Sequence, residues 1–240
     1  MNDWKTIWNQ KEANLSDCQT EFEMYITLKR ANGFDVAVEN ETEYYKFFYQ
    51  DWLSFYKKIL QLTDSINSVY EIGCGSGVNL FLFQKRGIDQ LGGIDYSKSL
   101  VSNAKTLLNI TDIETNEAIK INSSPQYDLV MADSVFQYFQ DDNYAETVLR
   151  TMIQKSRKLT YLGEVHDKIY EADLIQHRRE TIENYDEHYK GLEKHFYSKS
   201  WIENIANEYG KQVLYTQVNN PYYINSKYVY NCYIVDKKEE

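Results

Sequence analysis

The sequence has little proline, little cysteine and no long apolar run. Two prolines in 240 residues leave no room for proline-rich spacers, and with apolar residues well represented a long disordered linker is not expected. The three cysteines, Cys18, Cys74 and Cys232, form no Cys-x-x-Cys pair and have no His-rich partner segment, so neither a disulfide framework nor a metal site is indicated. A reducing cytoplasm is the expected setting. No stretch approaches the ~20 apolar residues of a spanning helix, and the N-terminus lacks the basic start and apolar run of a secretory leader, so no membrane role is expected. Positive charge is also short: 26 Lys and Arg stand against 36 Asp and Glu, a formal net charge of -10 at pH 7. That balance argues against a nucleic-acid partner, which draws on clustered Lys and Arg, and against an RNA or protein substrate that needs a basic docking surface.

The chain length is near the upper end of what one hydrophobic core supports. One domain over 1–240 is expected, divided into a helical cap or lid (1–62), a core (63–165), a substrate-facing insertion (166–200) and a terminal helix and hairpin (201–240). In the cap, Trp4 and Trp8 lie one helical turn apart, and Asn32 to Thr42, with Gly33, reads as a joint. Tyr44 to Leu62 then places Phe48, Trp52, Phe55, Tyr56, Ile59 and Leu60 on one helical face. From Ser68 short apolar strands alternate with amphipathic helices: Val69 to Ile72, Val78 to Lys85, Gln90 to Ile94, Leu100 to Leu108. The alternation predicts a doubly wound, mostly parallel sheet with helices on both faces. Glu114 to Ala118, Asp128 to Ala132 and Lys158 to Gly163 read as the third, fourth and fifth strands, with a helix over Tyr144 to Ser156. A polar run from Glu164 to Lys194 follows, then a helix from about Ser198 to Tyr209 closed by Gly210. Ser198 and Ser200 are both candidate caps. Gln212 to Val218 and Lys227 to Val235 complete a seven-stranded sheet as an antiparallel hairpin, turned through Asn219, Asn220 and Pro221.

The segment richest in chemistry is Val69-Tyr70-Glu71-Ile72-Gly73-Cys74-Gly75-Ser76-Gly77-Val78-Asn79, a strand running into a glycine-rich turn that opens a helix. Glycine there admits unusual backbone angles and lets a ligand approach the main chain. Asp95, at the end of the second strand, lies 22 residues beyond Gly73. A nicotinamide dinucleotide would also use a glycine turn and a second-strand acid, but its Gly-x-Gly-x-x-Gly fingerprint fails here, where Val78 holds the sixth position.

Together these residues resemble the class I S-adenosylmethionine-dependent methyltransferases of small-molecule type, over roughly Ser68 to Val165. The resemblance implies a doubly wound α/β fold and S-adenosyl-L-methionine as cofactor, with S-adenosyl-L-homocysteine as product. It also implies roles: Glu71, Gly73, Cys74, Gly75 and Gly77 around the cofactor's methionine part, Asp95 and the neighbouring Tyr96 at the ribose, and Glu117 and Ala118 at the adenine. Asp133 and Ser134 would lie beside the sulfonium, while Gln137 stands where many relatives carry His. Asn220-Pro221-Tyr222 imitates a target-nitrogen motif of some amino-methyltransferases but lies in the wrong place for it, so Asn220 is read as a turn residue.

Methyl transfer is an in-line displacement in which positioning supplies much of the rate and a base serves a protonated acceptor. Substrate sites in open α/β sheets form outside the carboxyl ends of strands, which singles out His166 as the first catalytic candidate, with Glu164 or Asp167 placed to hold its tautomer, and His195 as the second. Tyr44, Tyr45 and Tyr197 are candidate pocket walls, and Arg178 and Arg179 are candidates to meet an anionic substrate group. The expected reaction is methylation of an oxygen or nitrogen of a small molecule. The alternatives are a nicotinamide-dependent oxidoreductase and a non-catalytic module that keeps the fold.

Overall fold

The computed structural model describes residues 4–34 and 39–237. Three helices precede the sheet: α1 (Trp4–Trp8), α2 (Glu21–Ala31) and α3 (Glu41–Thr63). Thr20 and Glu23 form a capping box at the start of α2: the Thr20 Oγ1 accepts from the Glu23 N–H at 3.2 Å, and Glu23 Oε2 accepts from the Thr20 N–H at 2.8 Å. Asn40 caps α3. Part of the expected joint, residues 35–38, lies outside the described residues.

The wound part follows in order: β1 (Ser68–Ile72), α4 (Val78–Gln84), β2 (Gln90–Asp95), α5 (Lys98–Leu108), β3 (Ile113–Thr115), β4 (Tyr127–Asp133), α6 (Asp142–Lys155) and β5 (Ser156–His166). Then come α7 (Glu171–Thr181), α8 (Tyr185–His188), α9 (Lys199–Glu208), β6 (Lys211–Gln217) and β7 (Val229–Asp236). The sheet order is β3-β2-β1-β4-β5-β7-β6. β1 to β5 pair in parallel, and β7 lies antiparallel between β5 and β6. Chain order reverses between β1 and β4, and a crevice opens beyond their carboxyl ends.

The strands alternate sides as the pleat requires. Val69, Leu129, Met131 and Tyr161 pack with Leu28, Phe48, Trp52, Ile59, Leu80 and Phe81 on one face. Ile72, Val130, Ala132 and Leu162 pack with Val148, Leu149, Met152, Ile202 and Ile205 on the other. α2 and α3 therefore belong to the core itself. Each such side chain taken fully out of water contributes about 2 kcal/mol, so peeling these helices away as a lid would be costly. Among the described residues, no helix is long and apolar enough to cross a membrane.

The third and fifth strands have bounds other than expected. The third strand is only Ile113–Thr115, and Glu117 and Ala118 fall in the turn beyond it. This strand is a short sheet edge with one buried residue, too brief to show a periodic pattern. β5 runs on through Glu164 to His166, because β7 continues to pair with Val165 and His166 beyond a bulge. The terminal strands are joined by residues 218–228, which hold the expected turn at Asn220 and a single 3₁₀ turn before β7. At α9 Ser198 is the cap, accepting from the Trp201 N–H at 3.2 Å.

Candidate active site

A cavity of about 820 Å³ lies beyond the carboxyl ends of β1, β2, β4 and β5. Its floor is the turn between β1 and α4. Gly75 has φ +50°, and a Cβ there would meet Asn32 Oδ1 at 2.6 Å. The space is taken because Asn32, at the end of α2, accepts the Ser76 N–H at 2.9 Å, while the Ser76 hydroxyl donates to the Leu28 carbonyl at 2.9 Å. α2 thus fastens the glycine turn from outside the wound core. Gly73, Gly75, Glu71, Asp95, Tyr96, Glu117, Ala118, Asp133, Ser134 and Glu164 all line the cavity.

Cys74 and Gly77 do not. Cys74, expected beside the cofactor, is instead buried against Gly93, and Gly77, expected to shape the loop, turns toward Ala104 and Leu108 of α5, where a Cβ would come within 3.0 Å. Both shape the turn from behind.

Glu71 is buried, and its Oε1 accepts from Asn79 Nδ2 at 2.6 Å. Its other oxygen has no partner. Burial pushes this carboxyl well above its ordinary range, with the charges of Asp133 and Asp95 adding to the effect. Asp95 receives the Gly75 N–H at 2.9 Å on one oxygen and the Ser97 N–H at 2.7 Å on the other. It therefore ties the glycine turn to the start of α5. Burial raises its pKa while these two bonds oppose the rise.

Two non-glycine residues on the opposite wall have left-handed backbones: Ser134 (φ 57°) and Glu164 (φ 53°). Such strain persists where the surrounding structure demands it, and here it does two things. The Ser134 N–H donates to the Gly163 carbonyl at 3.0 Å. The Glu164 N–H leaves the sheet ladder for Asn231 Oδ1 at 2.9 Å, within the bulge between Leu162 and Val165. A bulge re-aims a side chain, and it turns Glu164 into the cavity. Burial, reinforced by the charge of Asp133, raises the Glu164 carboxyl to about 7, with Lys29, Ser134 and Tyr223 opposing. Its Oε2 is buried and without a partner.

Gly163 makes room for this wall. A Cβ there would run into the Asp133 carboxylate and come within 2.8 Å of the Tyr161 hydroxyl. Gly163→Ala is therefore expected to destabilise the fold by about 2 kcal/mol, seen as a lower urea midpoint at constant slope. An unchanged midpoint would mean that Asp133 has slack.

His166 and His195 do not reach the cavity, and their reading as catalytic groups is corrected. The extended β5 puts His166 in register with Val229, fully buried beside Phe196 at 5.0 Å, with neither ring nitrogen partnered. Burial and then the cations Lys194 and Arg178 push its pKa well below the usual value. His195 is fixed through its backbone to the Gln137 carbonyl at 3.0 Å, and its side chain is off the wall. Of the tyrosines expected there, only Tyr44 lines the cavity; Tyr45 and Tyr197 donate to the Phe34 and Phe136 carbonyls. Arg179 pairs with Asp186 at the surface. Asn220 makes the expected turn, accepting from the Tyr222 N–H at 2.9 Å, and also donates to Asp51 of α3 at 2.7 Å.

The structure adds Lys29, Asn79, Lys194, Tyr223 and Asn225 to the wall. Of these only Asn79 has a local signal, its position one turn into the helix after the glycine turn. Among the described residues no group of three His, Cys, Asp or Glu side chains could hold a metal ion.

A family model described as a methyltransferase domain matches residues 70–157. A peramine synthetase from Metarhizium rileyi is 28% identical over an alignment of 141 positions, covering 50% of this chain and 5% of that protein. The chain thus spans a small part of that relative's length. Among solved structures, the magnesium protoporphyrin IX methyltransferase of Synechocystis PCC 6803 with bound S-adenosylhomocysteine is similar with a TM-score of 0.60 at 15% identity, covering 86% of this chain and 94% of that one. An amino pentose methyltransferase from Micromonospora echinaspora, with bound S-adenosylmethionine, matches at a TM-score of 0.60 and 7% identity, over 84% and 98% of the two chains.

Proposed function

We propose that this chain is a class I S-adenosylmethionine-dependent methyltransferase, a reading supported by the methyltransferase-domain match over 70–157 and the fold likeness, and that it methylates an amine or hydroxyl of a small molecule, with Glu164 taking the proton. The observation that carries this reading is the Glu164 carboxyl itself. It is held in a strained bulge, aimed into the cavity beside Ser134, with one oxygen unpartnered and a pKa near neutrality. A general base poised near the working pH is what an acceptor that must lose a proton requires.

The cofactor fits the residues present. Glu71 Oε2, a buried acceptor without a partner on the wall, suits the cofactor's ammonium group. Lys29, which reaches the cavity from α2 over the Phe34 ring at 3.8 Å, suits its carboxylate. Asp95 is the residue for the ribose hydroxyls, with Tyr96 beside it. Glu117 and Ala118 would meet the adenine. When bound, S-adenosylmethionine supplies a methyl group made electrophilic by positive sulfur. Asp133 and Ser134 hold the wall next to it, and the Asp133 carboxylate favours a cation there. The chain's own work is then to exclude water, orient the acceptor toward that wall and receive its proton at Glu164.

The small-molecule reading draws support from the likeness to enzymes whose names carry porphyrin and amino-sugar substrates, and from the formal net charge of -10. Calorimetric titration with S-adenosylmethionine and S-adenosylhomocysteine tests the premise. Binding of both in the micromolar range is expected. Binding of neither would overturn the proposal and return a nicotinamide dinucleotide or a non-catalytic module to consideration.

A further inference from the structure

The two ends of the acceptor part of the cavity have opposite hydrogen-bonding character. Beside Ser134 the wall offers acceptors. Gln137 spends its Nε2 on the Ser134 carbonyl at 2.9 Å and hydroxyl at 3.0 Å, which leaves its Oε1 buried and unpartnered, as is Glu164 Oε2. Two orphaned oxygens call for a group with hydrogens to donate.

The other end offers donors and positive charge. Lys194, half-buried on the wall, reaches the Tyr138 hydroxyl at 3.4 Å and lies over the rings of Tyr138 and Trp4 at 4.8 and 5.6 Å. Behind it Arg178, 8% exposed, donates to Asn225 Oδ1 at 3.3 Å. With that oxygen engaged, Asn225 turns its Nδ2 toward the Tyr223 hydroxyl, 3.5 Å away. Among the described residues neither Lys194 nor Arg178 has a carboxylate within ion-pair distance. Buried cations are ordinarily paired. Burial and the neighbouring Arg178 depress the Lys194 ammonium to about 7, with Glu164 the opposing charge. The ends are close together, because the Tyr223 hydroxyl faces both Asn225 and Glu164.

We infer that the methyl acceptor is a small acid, whose carboxylate or phosphate is met by Lys194 and Asn225 a few bonds from the amine or hydroxyl that faces Glu164 and Gln137. This rests on the methyltransferase reading above, and Arg178 acts through Asn225 as a positioning residue. Lys194 serves the acceptor, and Lys29 serves the cofactor.

The test uses the full chain loaded with S-adenosylhomocysteine and titrated with three sets of probes: the common amino acids and glycolate, phosphoethanolamine, and the neutral glycinamide and glycolamide. Binding of at least one acid in preference to its neutral counterpart is expected, the first two sets telling carboxylate from phosphate. Lys194→Met should weaken that binding about thirtyfold and leave S-adenosylhomocysteine affinity unchanged, with Lys194→Arg retaining most of it. If S-adenosylhomocysteine binds but the neutral probes bind as well as the acids, or no acid binds, the inference fails while the methyltransferase reading stands. If Lys194→Met weakens S-adenosylhomocysteine as much as the acid, the cation belongs to the cofactor and the inference fails. If S-adenosylhomocysteine itself does not bind the unaltered chain, both fail.

Discussion

Glu164→Gln is expected to lower kcat about a thousandfold, within the range of a lost general base, with S-adenosylhomocysteine affinity unchanged. The amide keeps the shape of the wall and loses only the ability to take a proton. The pH dependence follows from the charges around it. Below pH 7 the carboxyl, raised to about 7, is protonated, so kcat and kcat/KM fall together as pH drops. Above pH 7 the Lys194 ammonium, itself depressed to about 7, loses its charge and acceptor binding weakens. The profile of kcat/KM is therefore a bell near neutrality. In kcat the upper limb moves to higher pH, because a bound anion holds the Lys194 proton on. The lower limb reports Glu164 together with the neighbouring Asp133, whose charge helps raise it. A kcat/KM profile flat from pH 5 to 9 would remove Glu164 from the chemistry.

Glu164→Gln also has a stability signature of defined sign. The folded carboxyl is raised from the ordinary 4.5 to about 7, so the stability it lends is complete below pH 4.5 and lost as pH climbs through 7. At pH 8 the buried anion is a burden that Gln lacks. The variant should melt higher than the unaltered chain at pH 8, with the gap closing at pH 4. A protein both firmer and slower is the mark of a group kept for function. A lower melting point at pH 8 would mean that the carboxylate is paired after all.

The second large effect is expected at Asp95. Asp95→Ala should weaken S-adenosylhomocysteine about a hundredfold: the carboxylate proposed to accept two ribose hydroxyls is lost, each such charged bond being worth about 1.5–3 kcal/mol. The Gly75 N–H loses its anchor as well. Asp95→Asn retains an oxygen and is expected to lose about tenfold. Equal affinity in Asp95→Ala, measured by calorimetry, would reduce Asp95 to a brace between the turn and α5.

How much of this was legible depended on distance along the chain. The glycine turn, Asp95 and Asp133 announce themselves because each sits next to the strand that positions it, and pattern and place coincide. Glu164 was legible as a residue near a strand end, though its bulge was not, since the irregularity is made by Asn231 of a strand far along the sequence. The same blindness made His166 attractive: its ionisation suits catalysis, yet nothing nearby says that β5 continues past it. Lys29, Lys194, Tyr223 and Asn225 carry no local signature at all. They reach the cavity from α2, from the segment before α9 and from the connection between β6 and β7, joined there only by the fold. The edge strand β3 was misjudged for a simpler reason, as only Ile113 in it is buried.

The placement of β7 has a bearing on how the protein is made. β6 is synthesised first, but among the described residues the strand it pairs with is β7, so it has no strand partner until residues 229–236 exist. The connection bearing Tyr223 and Asn225 is held between those two strands, and Asn231, which fixes the Glu164 bulge, lies in β7 itself. A nascent chain long enough to contain every residue assigned to the cofactor still lacks part of the wall assigned to the acceptor. On the proposed reading, the residues assigned to the methyl donor are therefore all synthesised before the wall assigned to the acceptor is complete.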